Sequence, residues 1–373
     1  MSSDAMSNPR RERTAGRVPD ASSEERLLEI RREAETKGKI EALGVRPPGA
    51  PFPKASPQTG YYGIPLLKEP QWKWEVPVYF FAGGAAGSAA VIGAMAHWVA
   101  GDRELTRDAR LVAAGGAVLS TGLLIADLGR PARFLNMLRV FKKQSPMSVG
   151  AWVLAGFGTF AGATAFAQLV QEQFDWAPVR VLGNISETFS AALGLPFHNY
   201  TGVLIGATAI PVWNENVKTL PIHFGMSGVS SSVAILELLG HRNPALNMLG
   251  IGAAAVETWE GVHLESTTKP VLRPLKRGLS GWMTRAGGVL SGPVPLVLRI
   301  AGGLSKSHKM RRAAAWSSIA GSLLTRYGWM QAGHASARDW RLPLEIPEES
   351  GGGFQTAITA NQGADAGREL SCG

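Results

Sequence analysis

Cysteine is almost absent from this sequence of 373 residues, since its one cysteine is Cys372. Iron-sulfur clusters need several thiolates and a structural disulfide needs a pair, so these residues supply neither. A redox role would therefore depend on an organic cofactor, on a haem held by histidines, or on electrons from another subunit.

The first twenty residues are polar and basic, and no apolar core of a signal peptide follows them. We therefore expect no cleaved export signal. A short charged helix is expected over 22–43, followed by a proline-rich linker. The predicted organisation is a largely disordered cytoplasmic tail at 1–73, a transmembrane domain at 74–337 and a flexible tail at 338–373.

Apolar segments recur between these tails, although the mean hydropathy of the whole chain is only +0.02. A span of about 20 apolar residues crosses a hydrocarbon layer about 30 Å thick. The segment 178–195 reads as amphipathic and interfacial. The sequence thus predicts an all-α bundle of about eight spans, arranged as two four-helix bundles, over 76–99, 109–127, 148–170, 196–213, 219–239, 244–264, 286–304 and 313–334.

The formal net charge of +9 comes from basic residues in the loops and in the N-terminal tail. Loop cations fix membrane topology and attract lipid head groups, which argues against nucleic acid as a partner. Their excess on the tail side favours both termini in the cytoplasm. The loop at 305–312 is the exception, because it is basic and lies on the opposite side.

Ionisable side chains inside spans are costly and are therefore functional candidates. Counting along the spans places most of them in the tail-side half, whereas the other half offers mainly His97 and Glu237. This asymmetry predicts a wet cavity open toward the cytoplasm, as a quinone site requires. The tail-side candidates are Glu75, Tyr79, Asp127, Glu257, Glu260, His263 and Arg326.

Two other interpretations remain open for these residues. Glu257 and Glu260 share one helix face, yet an ion pair of Glu257 with Arg326 would give them a structural role. A haem needs two histidines at matched depth on different helices. Counting places the four candidates near different faces or at helix ends, which disfavours haem: His97, His198, His223 and His263.

Three stretches carry a family resemblance, namely WKWEVPVYFFAGGAAGS at 72–88, LLIADLGRPARFLNMLRVFKKQSPMSVGAW at 123–152 and YTGVLIGATAIPVWNEN at 200–216, and RYGWMQAGHAS near the end adds to them. They resemble the NrfD family, the membrane subunits typified by polysulfide reductase. The resemblance implies a quinone-interacting subunit in an inner membrane, with no redox metal of its own. The implied partners are a 4Fe-4S electron-transfer subunit and a catalytic, molybdopterin-containing subunit.

The resemblance also assigns particular residues. It implies that Tyr200 contacts the quinone, whether menaquinone or ubiquinone, and that Tyr79 stands where the family has a histidine near it. Val76 stands where the family has an asparagine, so Glu75 is expected to compensate. Tyr200 lies 13 residues before the expected end of its span at 213, so it would meet the quinone deep in the bilayer.

The favoured hypothesis is a quinone-reactive subunit with Glu75, Glu257 and Glu260 in catalysis and no bound metal. Tyr79, Tyr200, His263 and Arg326 would bind the cofactor, whereas Asp127 and Arg130 would hold a turn facing the partner. The alternative is a subunit that translocates protons or ions, or a passive membrane anchor, without a quinone site of its own.

The charge distribution generates a topology prediction. We expect both termini to lie in the cytoplasm, because basic loops are retained there. The location of each terminus is measured by fusing to it a reporter that is active only after export. Activity of the fusion after Gly373 alone would mean an odd number of spans, and activity at the N-terminus would reverse the orientation.

Overall fold

The computed structural model describes Arg32, Leu342 and residues 67–128 and 131–339. Most of both predicted tails, and Arg130, lie outside the described residues. The chain divides into units 1–68 and 69–373. Of the first unit, Arg32, Leu67 and Lys68 are described. In the described part of the second unit the secondary structure is helical, with no strand, as predicted.

Long helices run through the second unit, joined by short turns. A π-helical turn at Ala96–Ala100 continues α1, and 3-10 turns occupy Pro131–Leu138 and Pro270–Leu272. The helices are α1 Glu75–Met95, α2 Arg103–Asp127, α3 Pro146–Gln173, α4 Ala177–Gly206, α5 Pro211–Glu215, α6 Leu220–Leu238, α7 Pro244–Ser266, α8 Arg273–Lys276, α9 Gly278–Ser291, α10 Pro293–Leu304 and α11 His308–Arg338.

Polar caps and prolines set where the helices begin. The carboxylate of Asp102 accepts a hydrogen bond from the Leu105 amide at 3.1 Å before α2, and the Asn243 side chain accepts one from the Ala245 amide at 2.8 Å before α7. A proline occupies the first turn of α3, α6, α7 and α10, where its missing N–H costs nothing. These signals fix helix ends that hydropathy alone leaves undefined.

Helix α1 lies at the centre of the bundle and packs against α2, α4, α6 and α11. Its most apolar stretch is 78% buried, against 28–33% in three other apolar helices. Glycines permit this position. A Cβ on Gly87 would lie 2.7 Å from the Gly194 carbonyl oxygen, and a Cβ on Gly194 would lie 2.6 Å from that of Gly87. The two backbones therefore meet with no side chain between them.

Helices α9 and α11 form a second close pair. A Cβ on Gly321 would lie 2.3 Å from the Ser291 amide nitrogen, and one on Gly287 would lie 2.5 Å from the Thr325 hydroxyl oxygen. The chain bends between α9 and α10 at Gly292, with φ −99° and ψ −95°. The predicted seventh segment, 286–304, is thus part of two helices, because prolines at 293 and 295 follow the glycine and cannot continue the hydrogen bonding of α9.

Four segments are long and apolar enough to cross a membrane, namely Glu75–Ala100, Arg103–Asp127, Pro146–Gln173 and Gly278–Leu304. The remaining predicted spans also fall on helices, but they are more polar. The division of 178–213 into an interfacial segment and a span is wrong, because α4 continues through Pro196 to Gly206. The polar face of 178–195 is turned inward, where Glu187 meets Arg110 of α2.

The crossing of α1 and α4 generates a stability prediction. Gly87→Val places side-chain atoms where the α4 backbone lies, so we expect the helices to separate and the yield of monodisperse protein to fall; overpacking typically costs about 1–3 kcal/mol. Gly115→Val is the matched control, since Gly115 is exposed with nothing within 4 Å of its Cβ position. Thermal unfolding in detergent compares the two. Equal midpoints would contradict the assigned role of this crossing.

Candidate functional site

A cavity of about 780 Å³ lies among α6, α7, α9 and α11, at the end of these helices nearest α5. Much of its wall is apolar. Its most buried ionisable side chains come from two helices, His223 from the first turn of α6 and Glu257 with Glu260 from α7. Because Glu257 and Glu260 are three positions apart, helical geometry directs both to the same wall.

The three side chains differ sharply in their hydrogen bonding. The Nδ1 atom of His223 lies 2.9 Å from Oε2 of Glu260, as in an ion pair or a neutral hydrogen bond. Glu257 is only 2% exposed, and neither of its carboxyl oxygens has a hydrogen-bond partner among the described residues. The Nε2 atom of His223 is likewise buried without one. Buried polar atoms are nearly always satisfied, so these atoms indicate a place for a ligand or water.

The cavity opens in two directions. Toward the loops, its rim carries the ion pairs of Lys269 with Glu215 and of Arg285 with Glu265, the latter with N–O distances of 2.7 and 3.1 Å. Glu265 lies beyond the expected end of its span. Its hydrogen bonds with Arg285 hold the pKa of that carboxyl below the ordinary value.

The second opening is lateral and apolar. The lining includes Trp259 and Val262 of α7 and Val289 of α9, which are 62%, 64% and 51% exposed. His263, also on the lining, stacks on Trp259 with ring centroids 5.5 Å apart and planes 10° apart. The cavity is therefore open to the apolar outer surface of the bundle between α7 and α9.

Arg326 lies beside the cavity but does not line it. Its Nη1 donates to the hydroxyl of Ser227 at 2.7 Å, to the Ser322 hydroxyl, and to the Ser322 carbonyl at 3.0 Å. The guanidinium lies 5.3 Å from the centroid of the Phe224 ring. Among the described residues it makes no ion pair, and the considered pair with Glu257 is not formed. The direct contacts of this buried charge are thus neutral dipoles and a ring face.

The predicted tyrosines lie elsewhere, among α1, α3 and α4. Tyr200 donates its hydroxyl to the Pro146 carbonyl at 2.5 Å, and its ring fills the space above Gly150, where a Cβ would lie 1.9 Å from a ring carbon. Tyr79 is buried beside Phe80. Because α4 ends at Gly206, Tyr200 is six residues from its end, about 9 Å at 1.5 Å per residue. Tyr200 therefore lies nearer the end of its helix than the sequence predicted, and it need not meet a quinone deep in the bilayer.

The remaining predicted residues surround the same end of the bundle without joining the cavity. Glu75 begins α1 and Asp127 ends α2, where each is partly exposed. Tyr327 donates to the Trp74 carbonyl at 3.2 Å, which fixes this end of α1 to α11. The structure thus unites Glu257, Glu260 and His263 and leaves Glu75, Tyr79, Tyr200 and Arg326 outside the cavity lining.

The expectation that the other half of the bundle is poor in ionisable groups is wrong. Glu187 of α4 is 2% exposed and accepts two hydrogen bonds of 2.8 Å from Arg110 of α2, and His97 also contacts it. Glu237 of α6 is bound by Arg299 at 2.8 Å and by Arg311 at 2.5 Å. In both clusters the partners come from distant parts of the chain, and counting residues along single spans does not show that they are in contact.

His223 is the functional candidate that the predicted site omitted, since it was considered only as a haem ligand. Its position along the expected span indicates that it lies near Glu260. His223 lies four positions into the expected span 219–239, at the same end of the bundle as Glu260 near the close of 244–264. Antiparallel neighbours place such residues side by side, and the observed distance of 2.9 Å follows.

Long apolar helices, buried ionisable clusters between them and a laterally open cavity define a polytopic integral membrane protein. Residues 67–242 match the family model described as polysulphide reductase, NrfD. The resemblance to NrfD-family proteins noted in the sequence is confirmed over this range, which reaches from before α1 to just past the end of α6. Such proteins are membrane subunits of polysulfide-reductase-like oxidoreductase complexes. The cavity residues of α7, α9 and α11 lie beyond the match.

The comparison with curated proteins gave no match.

The position of Tyr200 generates a prediction about its role. Tyr200→Phe removes one buried hydrogen bond and leaves the Pro146 carbonyl without its side-chain donor, so we expect lower thermal stability by about 1–3 kcal/mol. Thr188→Val, which removes an exposed hydroxyl from the same helix, is the control. Differential scanning calorimetry of the purified variants measures the unfolding midpoint. An unchanged midpoint together with lost quinone-dependent turnover would instead support direct contact between Tyr200 and a quinone.

Proposed function

We propose that this protein exchanges electrons between membrane quinone and a 4Fe-4S subunit, which connects to a catalytic molybdopterin subunit. The quinone head group would bind in the cavity among α6, α7, α9 and α11. The observation that carries the proposal is Glu257, a carboxyl 2% exposed on the cavity wall, whose two oxygens have no hydrogen-bond partner among the described residues. Such a group is well suited to pass protons to a ligand.

The cavity fits an isoprenoid quinone in size and chemistry. Its volume of about 780 Å³ lies within the range of small-molecule sites. The lateral opening at Trp259, Val262 and Val289 would admit the apolar tail from the lipid, whereas Glu257 and the Nε2 atom of His223 are available to a polar head group. The apolar tail and the polar head group of the quinone would thus contact separate walls of the cavity, each of matching polarity.

The residues would divide the work of proton transfer. A bound quinone supplies two-electron chemistry that consumes or releases two protons. Glu257 would hold a proton at its carboxyl oxygen. His223, fixed by Glu260 through Nδ1, would present Nε2 to the cavity. The rim residues Glu265 and Glu215 would connect this pair to the aqueous loops, since both line the cavity and are partly exposed. The electrons would leave through the partner's cluster.

We also infer that the long helices cross the membrane as about eight spans, with the α9 and α10 pair counted as one. The helices that hydropathy does not select are the ones with buried polar residues on their inner faces, such as α6 with its serines and Glu237. Their length is sufficient, since α6 has 19 residues and α7 has 23. The cavity would then face the cytoplasmic side with both termini.

A second candidate function, proton or ion translocation, is favoured by a polar seam between α6 and α11. Ser227 and Ser231 each contact the Ser322 hydroxyl, at 2.7 and 2.9 Å, and Glu237 lies further along α6. The seam, however, contains the buried guanidinium groups of Arg326 and Arg299. Fixed cations repel a hydrated proton, as in pores that exclude protons. This opposition makes the one-sided quinone site the better supported function.

Glu257→Gln tests the proposal. The amide keeps the shape of the side chain but cannot transfer a proton at the carboxyl, so we expect quinone-dependent turnover of the assembled complex to fall by about 10²- to 10⁴-fold. Assembly and extractable quinone should stay near the unmutated level. Glu104→Gln, an exposed position at the other end of the bundle, is the matched control.

Turnover with a soluble quinol analogue and proton flux in liposomes give separate readouts. Unmutated turnover in Glu257→Gln would overturn the assignment of this cavity. Proton flux that proceeds without quinone and is abolished by the same substitution would establish the translocation function in its place.

A further inference from the structure

At the end of the bundle opposite the cavity, two loops meet in a cluster of cations. The loop at 239–243 joins α6 to α7, and the loop at 305–307 joins α10 to α11. Nη1 of Arg242 lies 3.2 Å from Nε2 of His308, and Nη1 of Arg311 donates to the Arg242 carbonyl at 3.3 Å. Two arginines, Arg242 and Arg311, and a histidine that can be protonated, His308, are thus held together.

The cluster has too little negative charge within it. Both oxygens of Glu237 are already bound, one by Arg299 and one by Arg311. Nε and Nη2 of the fully buried Arg299 have no hydrogen-bond partner among the described residues. The other carboxylate that contacts these loops, Asp108, pairs with His241 at 2.8 Å. Arg299 and Arg311 therefore share the single carboxylate of Glu237, and Arg242 has no carboxylate partner among the described residues.

The first turn of α11 adds to this imbalance. It contains no acidic residue, and its sequence HKMRR at 308–312 is basic. The N-terminal end of a helix carries partial positive charge, so cations there are normally disfavoured. Lys309 and Arg312 are nevertheless exposed beside it. A basic loop of this kind also opposes the usual distribution of loop cations, if the cavity end is cytoplasmic. An anion bound between the loops would resolve both conflicts.

Exposed apolar side chains next to the cluster indicate which anion. His308, Arg312 and Trp316 follow one another at four-residue spacing, so they share one face of α11, and Trp316 is 59% exposed. On α10, Val297, Ile300 and Leu304 form an exposed stripe that ends at the cationic loop. A phosphate that sits at the cations would have its acyl chains alongside these apolar surfaces, with Trp316 at the interface between the two.

We infer that Arg242, His308 and Arg312 form a binding site for the head-group phosphate of an anionic phospholipid, whose acyl chains lie along Trp316 and α10. The site is independent of the quinone cavity, since it lies at the other end of the helices. Removing Arg242 and Arg312 together should weaken binding about 5-fold for each cation, because one basic residue near an anionic surface contributes about that factor.

The test uses the purified full chain in neutral detergent, titrated with phosphatidylglycerol, phosphatidylcholine or inorganic phosphate. Thermal stabilisation and the count of bound lipids by native mass spectrometry are the readouts. Arg242→Gln with Arg312→Gln is compared with Lys142→Gln and Lys143→Gln, two exposed cations at the cavity end. We expect phosphatidylglycerol to bind the unmutated protein and the lysine variant equally, and the arginine variant about 25-fold more weakly.

Equal losses in both double variants would overturn the inference, because they would indicate diffuse attraction to surface charge. Binding of inorganic phosphate as strong as that of phosphatidylglycerol would also overturn it, in favour of a free-anion site. Trp316→Ala provides an independent check that leaves every cation in place. It should weaken phosphatidylglycerol binding without affecting inorganic phosphate, and no effect on the lipid would contradict the proposed seat of the acyl chains.

Discussion

The close contact of α1 with its neighbours is the constraint on which the rest of the bundle depends. Gly87 and Gly194 bring two backbones together, so α1 can occupy the centre while α2, α4, α6 and α11 surround it. Association of helices in lipid gains little from the hydrophobic effect and relies on such packing. This short contact also fixes the position of α4, which carries Glu187 of one buried ionisable cluster.

Three buried glutamates in the bundle differ in the partners that surround their carboxylates. Glu187 and Glu237 are each surrounded by arginine, so their charge is neutralised where it lies. Glu257 is equally buried, yet it faces an open volume without a hydrogen-bond partner among the described residues. A buried carboxyl without hydrogen bonds is costly. Of these three glutamates, Glu257 is the one that lines the large cavity, and this position is the basis of the proton-transfer role proposed for it.

Much of the fold followed from the sequence, because apolar length and proline or polar caps mark helices locally. The grouping of Glu257, Glu260 and His263 also followed, since helical spacing and depth are local quantities. Local reasoning failed where partners are remote: the polar face of α4 was assigned to the interface because Arg110, 77 positions away from Glu187, was not visible as its partner. The assignment of Tyr200 to the quinone depends on the family resemblance and stays a prediction, although its hydroxyl donates to the Pro146 carbonyl in this structure.

The tight pairing of α9 with α11 gives the cavity walls unequal stiffness. Close approaches at Gly287, Gly321 and Gly328 hold the part of α9 from Thr284 to Ser291 against α11, so movement of this wall toward α11 would make the backbones collide. Helix α7, on the other side of the lateral opening, approaches Gly292 closely at Thr258, and beyond that point it is tied to α9 by the exposed pair of Arg285 with Glu265. Exposed ion pairs are weak. Of the two walls, the end of α7 beyond Thr258 is therefore the one that yields more readily, and its displacement sets the girth of a molecule that could pass between α7 and α9.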